Sequence, residues 1–456
     1  MKRKDFLKTL ALSSVFGGIT IPKSGFGQTS TASDSSSAKV AKKKAIVLGG
    51  GLAGLYSAYL LKTTGYEVTI VERGERLGGR IFTYENSELG IKQDLGGEWI
   101  GEGQGDIKSL IKQLGLELKN SRNSDQFSIS PQGKSGIAIS SASAETLNKV
   151  IELHKSLNSS QKQGLDKINF ASYARYQGIS EDEIRTISDV YRSLLGDDLN
   201  KISSESVLDD LSTPQSALRP KYVIAGGASG LIEGLTKRLS GEEIILNDMA
   251  IKVSQQKTQV IVDLSSGKQI KANILICSLP THAVLEIKWT PTLPKDLVYS
   301  ALRMQTGKIS KNLIFCKPND SVGQFYRVTQ TPGETFYIGD ESSGSQITAV
   351  TSLSTGDRAG LFEKGSLSQK SSLLKLSMEE MNGFELWNES PFQFYSFLKT
   401  TGKSGFVSLF PPGSFGIKEI WAEPFERVFF AGEHLALHTG SMDSAVSSAI
   451  QAISRT

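Results

Sequence analysis

Thiol and imidazole groups are scarce in this chain of 456 residues: it has two cysteines, Cys277 and Cys316, and four histidines. Two cysteines leave one disulfide open, and their spacing does not decide it. The histidines lack the close spacing of metal ligands, so no metal site is expected. Long apolar runs are missing as well. The stretch Thr9 to Ile21 is too short to cross a bilayer as a helix. Charge of one sign is nearly absent once it is located. The formal net charge is +4, and Lys2, Arg3, Lys4, Lys8 and Lys23 against Asp5 account for all of it within the first 27 residues. The remainder is neutral and carries no electrostatic footprint for nucleic acid or an anionic membrane. No internal repeat is visible.

What is present starts with glycine. The 45 glycines suit an α/β enzyme with many tight loops, and the length allows two joined domains with a sizeable core. Residues 1–27 read as a signal peptide. Lys2, Arg3 and Lys4 form its basic region, and Gly25-Phe26-Gly27 is a small-x-small cleavage site. Arg3 to Lys8 is similar to a twin-arginine signal with Lys4 at the second arginine, and the ordinary secretory route stays open. The expectation is an exported protein, periplasmic or extracellular. Residues 28–43, polar and serine-rich, read as a linker.

Ala45 to Leu48 is a short apolar strand, Leu55 to Lys62 has helical apolar spacing, Gly65 ends that helix, and Glu67 to Val71 is a second strand. This β-α-β unit frames Gly49-x-Gly51-x-x-Gly54. Gly49 permits the tight turn, Gly51 lets the backbone approach a diphosphate, and Gly54 lets helix and strand pack closely. Leu52 and Ala53 lie between the glycines, and the helix that follows turns its free N–H groups and positive dipole end to the phosphates. Glu72 ends the second strand 18 residues after Gly54, where a carboxylate accepts hydrogen bonds from a ribose diol. Residues 140 to 210 turn helical, with Leu153, Leu157 and Leu165 as first apolar points. Ile184, Ile187, Val190, Leu194 and Leu195 follow on one face. Strands return at Ile244 to Leu246, Gln259 to Leu264 and Ile274 to Cys277, the last burying Cys277. A strand at Val428 to Phe430 and a small-residue helix near Met442 to Ile453 close the chain.

Further motifs carry a family resemblance. Arg73-Gly74-Glu75-Arg76-Leu77-Gly78-Gly79-Arg80, Asp94-Leu95-Gly96-Gly97-Glu98-Trp99-Ile100-Gly101, Cys277-Ser278-Leu279-Pro280, Phe410-Pro411-Pro412-Gly413, Phe430-Ala431-Gly432-Glu433 and Gly440-x-Met442-Asp443 occur in order. Together they resemble the flavin amine oxidase family, which includes monoamine oxidases and L-amino acid oxidases. The resemblance spans nearly all of residues 44–456. It departs at Gly74, where the family usually has arginine.

The resemblance implies an α/β fold: a Rossmann-like FAD-binding domain of residues 44–120, 221–290 and 405–456, with an inserted α+β substrate domain of residues 121–220 and 291–404. It implies FAD held by Gly49, Gly51, Leu52, Ala53, Gly54, Glu72, Arg73, Gly79, Arg80, Gly97, Glu98, Trp99, Ile251, Gly432, Glu433 and Met442. Arg80 would neutralise the diphosphate or flank the flavin. The helix from Met442 would aim its N–H groups at the flavin and stabilise negative charge there. Gly405 stands where some relatives attach FAD covalently, so non-covalent FAD is expected.

The implied reaction removes a hydride equivalent from the α-carbon of a neutral amine. Imine hydrolysis follows, and molecular oxygen is reduced to hydrogen peroxide. Lys311, in Lys311-Asn312-Leu313-Ile314-Phe315-Cys316, matches the family lysine that holds a water at the flavin and assists the oxygen step; Lys308 is its rival. One of the two aromatic walls of the family's reactive face falls on Phe406 and the other on Ser441, so one wall is missing and a wider site is expected. Glu98 and Trp99 stand where L-amino acid oxidases tend to carry an arginine for the substrate carboxylate, which favours amines, with Arg303 as an alternative partner. Oxidation of L-amino acids, other superfamily chemistry such as a desaturase, a non-catalytic FAD protein, and a homodimer stay open.

Overall fold

The computed structural model describes residues 42–123, 129–131, 137–214, 216, 220–317, 326–328, 335–343, 347–379, 384–387, 391–396, 405–436, 438 and 440–456. The signal peptide and all but two residues of the linker lie outside these.

A five-stranded parallel sheet forms from distant parts of the chain. Its order is Glu243–Ile245, Glu67–Val71, Lys44–Leu48, Ile274–Cys277, Val428–Phe430. The strands Lys44–Leu48, Ile274–Cys277 and Val428–Phe430 are nearly continuous apolar runs because both faces are covered. On one face Ala45, Val47, Val68, Ile70, Ile274 and Ile276 pack against the helices Leu52–Thr63, Gly105–Leu114, Ser229–Arg238 and Met442–Ile453. On the other, Ile46, Leu48, Val71, Leu275, Cys277, Val428 and Phe430 meet a second sheet through Val253, Val260, Val262 and Trp289. That sheet holds Gln269–Ala272, Val260–Leu264, Ala250–Gln255 and Lys288–Thr290 in order. The period-2 alternation of each strand thus produces three layers.

The first helix begins at Leu52, three residues before the apolar spacing suggests, because Gly51 caps it in extended conformation. Thr64 closes it, and Gly65 turns the chain at φ +92.

A separate antiparallel sheet runs Tyr326–Val328, Thr335–Ser343, Thr348–Thr355, Ile309–Cys316, Phe392–Ser396. Ile314, Cys316 and Val350 pack on one face against Phe362, Leu374 and Met378 of the helices Gly356–Lys364 and Leu367–Glu379. Alternate residues Ile309 and Leu313 face the other way, toward Trp99, Phe406, Ile91 and Leu95. Lys311 shares their parity.

The helical stretch resolves into Ser141–Lys155, Ser159–Leu165, Phe170–Tyr176, Glu181–Leu195 and Ser204–Leu211. Ser140, Asn158, Asn169, Ser180 and Ser203 each accept a hydrogen bond at the helix start, which explains why a polar segment breaks into short helices. Ile184, Ile187, Val190 and Leu194 are buried in the core of this layer as the spacing predicts, whereas Leu153 is 55% exposed. Both cysteines are free and buried, and burial pushes each thiol up to about 12, which makes them inert. Among the described residues no helix is long and apolar enough to cross a membrane.

Candidate active site

A cavity opens at the carboxyl ends of the central parallel strands, where α/β sheets place their ligands. Its floor is the Gly-rich turn. Gly49 takes φ +102, and a side chain there would meet Ser278 Oγ at 2.6 Å. A Cβ on Gly54 would lie 2.0 Å from the Gly49 carbonyl oxygen, so that position admits only glycine. At Gly51 the reverse holds: a Cβ would meet nothing within 4 Å, because the position opens into the cavity. The helix behind it has no side-chain cap, leaving its first N–H groups to face the cavity. Ser278 Oγ, which sequence reasoning did not single out, donates to the Leu48 and Gly49 carbonyls at 2.8 and 3.1 Å and staples the next strand to this turn.

Glu72 stands at one end of the cavity with Arg73, Met249 and Ile251. Its two carboxylate oxygens accept the N–H groups of Gly50 and Gly74, both at 2.7 Å, which fixes the group as an acceptor toward the cavity. Gly79 touches Gly51, and Arg80 follows it along the wall. The Arg80 guanidinium bonds Glu433 Oε1 at 2.7 Å and the Phe406 carbonyl at 3.0 Å. Burial raises the Glu433 carboxyl most strongly, but the Arg80 and His434 charges and the hydrogen bonds from Ser408 and Arg80 together outweigh it and hold the group below the usual carboxylate range. Ser408 and Gly440 donate to the same carboxylate.

At the far end Phe406, Val407, Gly97, Gly440, Ser441 and Met442 line the cavity, and Gly97 lies against the Met442 side chain. Ser441 has a role that family comparison did not suggest. Its hydroxyl caps the Met442–Ile453 helix by accepting the Ser444 N–H at 3.0 Å. The pattern Ser441-x-x-Ser444 before an apolar run is a readable start signal. Leu52, Ala53 and Gly432 complete the expected residues on the wall.

Lys311, Glu98 and Trp99 do not line this cavity; they form a buried cluster behind Phe406. Lys311 Nζ donates to Glu98 Oε2 at 2.5 Å, and both side chains are almost fully buried. Tyr337 donates to the same oxygen at 2.7 Å and Gln93 to the other at 3.1 Å. The rings of Trp99 and Tyr337 enclose the ammonium at 5.3 and 5.5 Å. They pack in one apolar cluster with Phe406, so this group adjoins the far end. The cation that Glu98 holds is the chain's own Lys311. Asp94 is close enough to Glu98 to feel its charge, and burial followed by that repulsion raises the Asp94 carboxyl to about 7. Lys308, the rival, is half-exposed and pairs with Asp357 at 3.5 Å. Arg303 donates to the Pro412 carbonyl and does not reach the cavity.

Comparison with known proteins agrees with this geometry. The family described as flavin containing amine oxidoreductase matches residues 52–453. The chain belongs to this family. An L-amino-acid oxidase of Pseudechis australis is 26% identical over 458 residues, covering 90% of this chain and 86% of the relative. A solved putrescine oxidase, wild type bound to putrescine, superposes with a TM-score of 0.74 at 15% identity, covering 91% of this chain and 98% of that one. Cyclohexylamine oxidase from Brevibacterium oxydans IH-35A superposes at 0.73 with 18% identity, over 91% and 98% of the two chains. The fold is therefore that of a flavin amine oxidase, with a Rossmann-like FAD domain. The cofactor is FAD, the enzyme is an oxidoreductase acting on CH–NH2 groups, and its reactants are a small-molecule amine or amino acid and oxygen. The residues present fit that cofactor: an uncapped helix start over an open glycine, a fixed acceptor at one end and a second helix start at the other.

Proposed function

We propose that this enzyme oxidises a primary or secondary amine rather than an L-amino acid. One observation carries the choice. A small cleft shares Val407 and Gly440 with the far end of the cavity and is lined by Leu195, Ile202, Ser206, Val207, Ser408, Leu409, Phe410 and Asp210. Among the described residues its walls are mostly apolar, its one charged residue is the carboxylate of Asp210, and no arginine lines it. An acid there repels a substrate carboxylate and attracts an ammonium. Trp99, where amino acid oxidases tend to carry arginine, supports the same reading. The 26% identity to an L-amino-acid oxidase favours the second reading, oxidation of amino acids.

In the proposed scheme FAD, when bound, supplies the two-electron acceptor. Gly49, Gly51, Gly54 and the helix start behind them seat its diphosphate, with Arg73 and Arg80 adding positive charge. Glu72 orients its ribose, Ile251 borders the adenine, and Gly97, Gly432, Glu433 and Met442 hold the flavin end. Phe406 limits how the substrate approaches. Lys311 is proposed to serve the oxygen step, with Glu98 and Trp99 positioning it. Residues 44–120, 221–290 and 405–456 are proposed as the FAD domain, and 121–220 with 291–404 as the substrate domain. FAD is proposed to be non-covalent, since Gly405 has no side chain to form a link. Residues 1–27 are proposed to direct export, which N-terminal sequencing of the mature protein tests. A homodimer is the proposed assembly, read by sedimentation.

Peroxide production from matched amines and L-amino acids tests the choice of substrate. The proposal expects turnover with amines, and an Asp210→Asn variant with KM raised about tenfold for substrates carrying a second cation. Turnover confined to L-amino acids overturns it.

A further inference from the structure

Away from the flavin cavity, the helices Ser141–Lys155 and Ser204–Leu211 bring His154, Glu205 and Asp209 together. Glu205 and Asp209 are four residues apart and share one face of their helix. The imidazole of His154, the Glu205 carboxylate and the Asp209 carboxylate each offer a ligand atom, all within 4.8 Å of one another.

The hydrogen bonding around His154 is unusual. Its side chain is fully buried, and Nε2 has no hydrogen-bond partner. The Ser212 hydroxyl donates to the Asp209 backbone carbonyl at 3.0 Å, so its oxygen is the acceptor for His154 Nδ1, 3.2 Å away. With that hydroxyl as acceptor the proton lies on Nδ1, and the Nε2 lone pair is left beside the Glu205 carboxylate. Glu205 Oε1 lies 3.8 Å from Nε2, beyond hydrogen-bond length. Among the described residues neither carboxylate accepts a hydrogen bond. Among the described residues Asp209 pairs with Lys162 and Lys418 at 3.5 and 3.9 Å, and His438 feels its charge. The two lysines answer the Asp209 charge, but a buried lone pair facing the Glu205 carboxylate is repulsive unless something positive joins them.

We propose that His154, Glu205 and Asp209 bind a divalent zinc-type cation between these two helices. One imidazole nitrogen and two carboxylate oxygens form a donor set that zinc accepts at about 2.0–2.2 Å. The 3.8 Å separation of Nε2 and Oε1 is close to the edge of such a polyhedron. The Ser212 contact to Nδ1 supplies the outer hydrogen bond that fixes a metal-bound histidine. The ion would clamp a helix pair whose shared core includes Leu147, Val150, Ile151, Leu208 and Leu211. The four scattered histidines concealed this site because His154 lies 51 residues before Glu205.

The test uses the purified FAD-loaded full-length protein, stripped with chelator and titrated with Zn2+ by calorimetry, with metal content measured after dialysis. The result expected is one Zn2+ per chain and a raised melting temperature. His154→Gln, Glu205→Gln and Asp209→Asn should each weaken binding at least tenfold while the flavin spectrum is unchanged, which shows that the fold is kept. Wild-type protein that takes up no Zn2+ at micromolar concentration overturns the proposal, as do variants that bind it as tightly as wild type. A His154 imidazolium that persists in Zn2+, seen by nitrogen-15 NMR, also overturns it by showing that a proton joins the three groups.

Discussion

Replacing Glu98 with glutamine should destabilise the protein far more than its small change in shape suggests. Lys311 and Glu98 are both almost fully buried and 2.5 Å apart, so loss of the carboxylate leaves an ammonium with only dipoles and two aromatic rings. Breaking one side of a buried pair costs about 3–5 kcal/mol. Unfolding a chain of 456 residues carries an entropy of about 1 kcal/mol/K, so the melting temperature should fall by about 3–5 °C. Lys311→Met should cost somewhat less, because Tyr337 and Gln93 still donate to Glu98. The double variant removes both charges and should lose less than the sum of the two, with a coupling of about 2 kcal/mol or more. Calorimetry on FAD-free protein isolates this effect from cofactor loss. Single variants that melt within about 1 °C of wild type, or losses that add in the double variant, would refute the buried pair.

Gly51→Ala should leave the apoprotein as stable as wild type yet abolish FAD retention, whereas Gly54→Ala should damage the fold itself; equal behaviour on gel filtration and flavin absorbance would contradict the cavity geometry. Asp94 has its pKa raised to about 7 in the folded state, so the stability it contributes is full below about pH 4 and is lost as pH rises through about 7. Asp94→Asn should flatten that part of the stability–pH curve, and an unchanged slope would exclude Asp94 as its source. Lys311→Met should also slow reoxidation of the reduced enzyme by oxygen at least tenfold in stopped-flow absorbance, and an unchanged rate removes Lys311 from that step.

The parts of this protein legible in its sequence are the local ones. The turn from Gly49 to Gly54 and the acceptor Glu72 lie within one β-α-β unit, so spacing alone places them. Pairing across the fold was hidden. Glu98 and Lys311 are 213 residues apart, and their contact depends on strand parity at Ile309–Cys316 and on the loop between the short strands Ile91–Asp94 and Ile100–Gly101. Arg76 is another such residue. Its guanidinium gathers the Leu77, Gly79 and Ile81 carbonyls and reaches Tyr395, tying the cofactor loop to the antiparallel sheet. Ser441 was readable as a helix cap, but comparison with the aromatic wall of relatives drew attention to what it lacks.

The central claim is that bound FAD accepts electrons from an amine in this cavity. Anaerobic mixing of the FAD-loaded protein with a panel of amines and L-amino acids, followed at the flavin absorbance, tests it directly. The account predicts bleaching by amines and recovery of the yellow colour with peroxide when oxygen is admitted. A protein that holds FAD and is bleached by neither class would contradict it.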